Sequence, residues 1–378
     1  MQFFILSVAT VILAVSGTIH VKNSYIVKLK EMTRIPMQTH IDVVKSLFQN
    51  KAGIDKIKAI HRNIGNMYSA TFSPSVLAKV KQMREVEYVE PDSIVTINTV
   101  QHNATWGLNR ISQLLKLRTT DYKYNYTYDG SGVTVYVVDT GILISHPEFE
   151  GRARFGARFV GPNDKDENGH GTHCAGTVGS KTYGVAKKAS LVAVRVLDRE
   201  GEGPISGVIA GIDWVIGDVK GSEPNVITMS LSGGIGKSLN RAVEAAVEKG
   251  ITVVVAAGNE NQNACRTSPS SVPEAITVGA TDRNDRRADF SNYGQCVDLF
   301  APGVDIISTW NDGETEKLSG TSMAAPHVAG LIAVFLSESP ATPKEVSKKL
   351  VKLALPEMVH NPRTGSPNLL ANNGVNQE

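Results

Sequence analysis

From residue 133 onward, apolar runs of strand length alternate with stretches of helical periodicity. Residues 133–138, 191–196, 226–229 and 251–256 are hydrophobic runs with apolar residues on both faces, interrupted only by Thr134, Arg195, Thr228 and Thr252, and so fit strands of a buried parallel sheet. Between and after them, 170–179, 206–216, 239–249 and 322–336 read as helices. This repetition predicts an α/β domain: a doubly wound, mostly parallel sheet with helices on both faces and ligands beyond the carboxyl ends of its strands. Residues 23–98 have another texture. They are Lys-rich, open strand-like at 25–29, continue through two amphipathic helical stretches and close strand-like through Val95 and Ile97, which predicts a small α+β domain. The polar stretch 98–103 reads as a linker open to cleavage. Residues 3–15 are almost wholly apolar and small residues follow at Ser16 and Gly17, the pattern of a signal peptide too short to span a bilayer comfortably. The expected division is 1–17, 18–98 and 99–378.

Composition narrows the partners. With 39 basic and 37 acidic residues the formal charge is +2, which leaves no electrostatic footprint for nucleic acid or an anionic membrane. Three cysteines permit one disulfide and one free thiol, as suits an exported chain not built on a cysteine framework. Cys265 and Cys296 flank a short strand-turn-strand stretch, whereas Cys174 lies inside a His-containing motif where a thiol could be buried. Asn103 and Asn125 open Asn-X-Thr tripeptides and would be surface glycosylation acceptors.

Four places carry candidate chemistry. Asp139 follows a buried strand and leads into Thr140-Gly141, so its carboxylate is delivered at a strand's carboxyl end; alone it reads as a turn or cap. In the segment 168–176, glycines let the chain turn tightly into a helix and place His170 at its start, with His173 and Cys174 on the next turn. Two imidazoles and a thiol could bind zinc, but no second ligand cluster has matching spacing, and buried core histidines are the simpler account. Ser322 stands at the start of the apolar helix 322–336, where backbone amides favour negative charge, with Pro326 expected in the first turn. Asn259 ends the strand 253–257 after Gly258 and could donate to an oxyanion. Together they supply a nucleophile, a base, a carboxylate to orient the base, and an oxyanion donor, as acyl transfer needs.

At this point Asp139-Thr-Gly, His170-Gly-Thr-His and Gly320-Thr-Ser-Met-Ala-Ala-Pro326 resemble the three signatures of the subtilisin family, in the family's chain order. The likeness is nearest to the proteinase K group, which includes fungal subtilases and cerevisin; residues 103–112, 290–294 and 368–370 resemble further landmarks of that group. The resemblance implies a secreted serine endopeptidase of broad specificity, cutting after large apolar or aromatic residues, with a vacuole as the alternative destination. It makes Asp139, His170 and Ser322 the triad and Asn259 the oxyanion donor, and residues 18–98 an inhibitory propeptide removed by self-cleavage. Substrate would pair with Gly201-Glu-Gly203 on one side and with Ser230, Leu231 and Ser232 on the other, and Ala256, Ala257 and Gly258 would line the first specificity pocket. Ser232 departs from the usual glycine, Thr228 from a frequent asparagine, and Ile205 lies where a tyrosine is frequent. The resemblance also implies a Cys265–Cys296 disulfide, a buried Cys174 thiol open to mercurials, and a structural calcium held by carbonyls of Pro273 and Ala275 and the carboxylate of Asp298. Partners would be protein and peptide substrates and the chain's own propeptide, acting on a monomer with no cofactor needed for the chemistry. Two rivals remain: a catalytically silent binding version of the same fold, and a nucleotide-binding protein suggested by 233–238, which fails because Leu231 stands where a phosphate loop needs glycine.

Overall fold

The computed structural model describes residues 20–31, 35–48, 53–61, 66–93, 99–115, 122–221 and 223–375. The signal-peptide segment, Val95, Ile97 and the expected cleavage point near Asn98 lie outside them. The chain divides into two compact units between Ile97 and Asn98.

The first unit runs β1 (His20–Leu29), α1 (Met37–Ser46), β2 (Lys56–His61), β3 (Met67–Thr71), α2 (Pro74–Lys81) and β4 (Val86–Ser93). Its strands form one antiparallel sheet in the order β2-β3-β1-β4. Alternation along β3 buries Tyr68 and Ala70, and these pack with Val27 and Leu29 of β1, Ile41 and Val44 of α1, and Val76 and Val80 of α2. This is the α+β unit that the sequence pattern predicts.

The second unit begins with β5 (Thr99–Gln101), α3 (Trp106–Arg110), β6 (Tyr124–Tyr126), β7 (Thr134–Asp139), β8 (Ala153–Arg158), α4 (His170–Gly179) and β9 (Ser190–Arg195). It continues through α5 (Ile205–Asp218), β10 (Asn225–Met229), β11 (Gly233–Gly234), α6 (Lys237–Glu248), β12 (Thr252–Ala256), β13 (Thr267–Ser268), β14 (Ile276–Thr281) and β15 (Leu299–Pro302). It closes with β16 (Ile306–Thr309), β17 (Thr315–Leu318), α7 (Thr321–Glu338), α8 (Pro343–Leu353), β18 (Leu355–Pro356) and β19 (Leu369–Leu370). Nine strands form the central sheet in the order β18-β19-β15-β14-β12-β10-β7-β9-β8, parallel except at β18.

Successive residues of β7 feed two different cores, which is why its sequence shows no polar alternation. Val135 and Val137 pack with Val178 of α4 and Val328 of α7, while Tyr136 and Val138 pack with Val208 and Ile212 of α5 and Val243 of α6. The chain leaves β7 for the edge strand β8, returns through β9 beside β7, and then crosses to β10 on the other side of β7. That reversal opens a crevice at the carboxyl ends of β7 and β10, where open α/β sheets bind ligands.

Two local expectations change. Thr99–Gln101 is not free linker but an antiparallel partner of Tyr124–Tyr126. Pro326 lies beyond the first turn, because α7 begins at Thr321. Cys265 and Cys296 are bonded, and Cys174 is the buried free thiol. No helix of the described residues is long and apolar enough to cross a membrane.

The disulfide closes a separation of 31 residues. Replacing both Cys265 and Cys296 by Ser should therefore cost about 3–4 kcal/mol, measured as a lowered midpoint in urea unfolding.

Candidate active site

Asp139 ends β7 with no exposure to water. Its Oδ1 accepts the Nδ1–H of His170 at 2.8 Å and the amide of Thr140 at 2.7 Å. Its Oδ2 is buried and has no partner. Burial is the largest single effect on His170 and works against its charged form, but the Asp139 carboxylate, together with the neighbouring Cys174 sulfur, more than offsets it and holds the imidazole well above its ordinary range.

The local sequence explains how His170 reaches that position. Gly169 precedes α4 at φ 106°, and a Cβ there would lie 2.5 Å from the Trp310 ring. Gly171 is equally constrained by space, since its Cβ would meet the Gly141 carbonyl oxygen at 2.1 Å. Beyond the glycines, α4 is buried along most of its length. His173 takes the bland role weighed above: its Nε2 faces the Ile306 and Glu316 carbonyls, its ring packs edge-on to Trp310, and burial pushes it down to about 4. Among the described residues the group of three potential metal ligands that does converge is instead Asp139, His170 and Cys174, whose ligand atoms lie within 4.8 Å of one another. Burial raises the Cys174 thiol, so it stays protonated.

Ser322 is the second residue of α7. Its hydroxyl donates to the Ser230 carbonyl at 3.1 Å, and the Ser230 hydroxyl donates back to the Ser322 carbonyl at 2.9 Å. Cys174 Sγ lies 3.4 Å from the same carbonyl and 3.9 Å from His170 Nδ1, so His170 and Ser322 share a neighbour. Pro326 accounts for this arrangement. Ser322 lies four residues before it, so the proline withholds the amide that would bond the Ser322 carbonyl inside the helix. The Ser230 hydroxyl and the Cys174 thiol satisfy that carbonyl from outside.

Asn259 Oδ1 accepts both the amide (2.8 Å) and the hydroxyl (2.9 Å) of Thr321, which leaves its Nδ2–H₂ as the donor face. Its loop is braced by buried Asn292, whose Oδ1 accepts the amides of Glu260 and Gln262 and whose Nδ2 donates to the Ala257 carbonyl. A groove of about 630 Å³ leads from His170 between Gly201 and Gly203 on one side and Ser230, Leu231 and Ser232 on the other. Ala256, Ala257 and Gly258 do not line this groove; they are buried, Ala256 in the main core and Ala257 in a satellite cluster around Phe300. The Thr228 hydroxyl is buried without a partner.

Asn103 is exposed, but Asn125 sits half-buried in β6 with its Oδ1 enclosed, so the second tripeptide is not the open surface acceptor expected. The carboxyl of Asp298 accepts the Thr277 amide and is pushed up to about 6 by burial; Ala275 is buried and Pro273 exposed. Sequence reasoning missed Thr140, Asp166, Thr321 and Asn292. Its nearest signals were an acid four residues before His170 and an Asn in 290–294.

Residues 130–377 match the model of the subtilase family, and residues 24–98 match that of peptidase inhibitor I9. The chain is 44% identical over 376 residues to a cuticle-degrading serine protease of Arthrobotrys oligospora, covering 94% of this chain and 91% of that one. It is 43% identical to Proteinase R of Parengyodontium album over 93% and 89% of the two chains. Among solved structures it is similar to a cold adapted subtilisin-like serine proteinase, with a TM-score of 0.69, 48% identity, and coverage of 72% of this chain and 98% of that one.

In a Ser322→Ala background, NMR titration should place the His170 pKa above the ordinary histidine value near 6.5. Adding Asp139→Asn should lower it, because the charge that favours the imidazolium is gone. An unchanged titration would show that the carboxylate does not control this histidine.

Proposed function

The chain belongs to the subtilase family of serine proteases and carries an I9 inhibitor domain, and we propose that Asp139, His170 and Ser322 make it a self-maturing endopeptidase. The observation that carries this reading is the 2.8 Å Asp139–His170 bond at the sheet's switch point, with Ser322 at the start of α7 linked to His170 through Cys174 Sγ. Ser322 Oγ turns from the Ser230 carbonyl to attack the scissile carbonyl. His170 takes its proton and later protonates the leaving amine, while Asp139 fixes the tautomer and favours the imidazolium. Asn259 Nδ2 and the Ser322 amide hold the oxyanion, with Asn259 already oriented by Thr321.

Substrate adds a strand between the two edges of the groove, and main-chain pairing makes specificity broad. The preference for a large apolar or aromatic side chain before the cut follows from the family resemblance alone, since Ala256, Ala257 and Gly258 are buried and do not line the groove. Residues 18–98 inhibit the enzyme until cleaved near Asn98; the monomeric enzyme is exported, to the outside or to a vacuole. Asn103 is the better placed of the two glycosylation acceptors.

We propose a calcium ion held by Asp298 and the carbonyls of Pro273 and Ala275. That donor set is hard oxygen, and the buried carboxyl, raised for want of compensating charge, suits a cation. The ion would supply rigidity to this loop and takes no part in bond cleavage. With Ser322→Ala protein, chelator should lower Tm, and Asp298→Asn should abolish the difference; equal Tm with and without chelator would remove calcium from the account.

Expression of the wild type beside Ser322→Ala tests the main reading. Only the wild type should shed a fragment ending near Asn98, label with a fluorophosphonate and digest an unfolded protein. Loss of both labelling and digestion in the wild type would favour a silent fold used for binding. Asn259→Ala should lower kcat on the order of a hundredfold or more, the loss that removing one such donor causes in a subtilisin.

A further inference from the structure

α4 starts without a capping side chain of its own, because Gly169 stands at the N-cap. A helix end buried in this way needs other acceptors for its first amides. They come from three side chains: Asn168 Oδ1 accepts the His170 amide (3.1 Å), Thr140 Oγ1 that of Gly171, and Asp166, four residues before His170 and almost fully buried, that of Thr172 while also gathering the turn that leads into the helix. Asp166 Oδ1 accepts the amides of Asn168 (3.1 Å) and Gly169 (2.8 Å) and the hydroxyl of Thr140 (2.8 Å). Its Oδ2 accepts the amide (2.9 Å) and hydroxyl (2.6 Å) of Thr172.

Thr140 joins this carboxylate to the end of β7. The Thr140 hydroxyl donates to Asp166 and accepts the Gly171 amide at 2.9 Å, while the Thr140 amide donates to the same Asp139 oxygen that accepts from His170. The bonds close a ring: Asp139 to Thr140, Thr140 to Asp166 and Gly171, and the start of α4 through His170 back to Asp139. The loop holding Asp166 is itself fixed from behind. Arg195, the neighbour of Asp139 in the β7–β9 register, donates to the Asn163 and Lys165 carbonyls and to Glu167.

We infer that Asp166 is a positioning residue for the reaction, a second carboxylate that sets the distance between Asp139 and His170 by holding strand end and helix start in one hydrogen-bonded ring. It touches neither the imidazole nor the groove. An amide cannot replace it, because the Nδ2–H₂ of Asn would face donors on whichever side it took. The inference rests on the triad reading above.

The test uses mature enzyme, processed in trans by tagged wild-type enzyme that is then removed, with active sites counted by fluorophosphonate titration. Asp166→Asn should lower kcat per titrated site tenfold or more, since misplacement by about 1 Å can cost on the order of a hundredfold. KM should stay within about twofold, because the groove edges are untouched. The acid limb of kcat/KM should move to lower pH as the Asp139–His170 bond loosens. Thr140→Val, which breaks the same ring elsewhere, should share these effects, and Thr140→Ser, which keeps the hydroxyl, should recover most of the loss. If kcat per titrated site is unchanged in both Asp166→Asn and Thr140→Val, with only Tm or the number of titrated sites reduced, Asp166 anchors the fold and does not position His170. A wild type that neither labels nor cleaves would instead overturn the triad reading.

Discussion

A carboxylate withdrawn from water stays ionised only if donors or a positive charge compensate it. Asp139 imposes that demand at the centre of the larger unit. One of its oxygens is supplied by His170 and the Thr140 amide and the other by nothing, so the favoured relief is a proton on the imidazole. Everything around the pair holds it in register. β7 is flanked by parallel partners and packed on both faces, α4 is buried against the sheet and α7, and the glycines at 169 and 171 admit a backbone approach that a Cβ would block. A strong base is the outcome of a local shortage of hydrogen-bond donors, maintained by a rigid sheet.

The elements legible in the sequence were those buried on both faces or strongly periodic. The helix read over 170–179 is His170–Gly179, and that over 206–216 is Ile205–Asp218. β14 did not stand out because Thr277, Gly279 and Thr281 break the apolar run, although every residue of β14 is buried, and β15 because it is only four residues long. β5 was read as linker for a different reason: three residues pair only because Tyr124–Tyr126 returns from more than twenty positions away, which no local pattern encodes. The candidate site was legible where one residue type carries one chemical role, as with Asp139, His170, Ser322 and Asn259. Asp166 and Asn292 were not, since each matters through donors that converge from separate segments, and the sequence shows only an acid and an amide in loops.

The smaller unit follows other rules. Its core is one cluster on one side of an antiparallel sheet, so alternation rather than continuous apolar runs marks its strands. That cluster admits a polar group: buried His40 bonds Glu85 through Nδ1 and the Tyr68 hydroxyl through Nε2, and Glu85 is held below its usual range chiefly by that contact, against the opposing effect of burial. Its hydrophobic cluster is drawn wholly from residues before the division of the chain, so the two units have independent cores.

Pro326 gives the helix of Ser322 an unusual anchorage. A regular helix ties each turn to the next along its axis, whereas here the Ser322 carbonyl is tied sideways, to β10 through Ser230 and to α4 through Cys174. The helix of Ser322, the end of β10 and the helix of His170 are thus riveted through a single oxygen atom. Replacing Pro326 with an ordinary helix former would improve the helix and offer that oxygen a competing partner. The defect in one element is therefore the joint between three, and a sequence optimised for helicity alone would dismantle it.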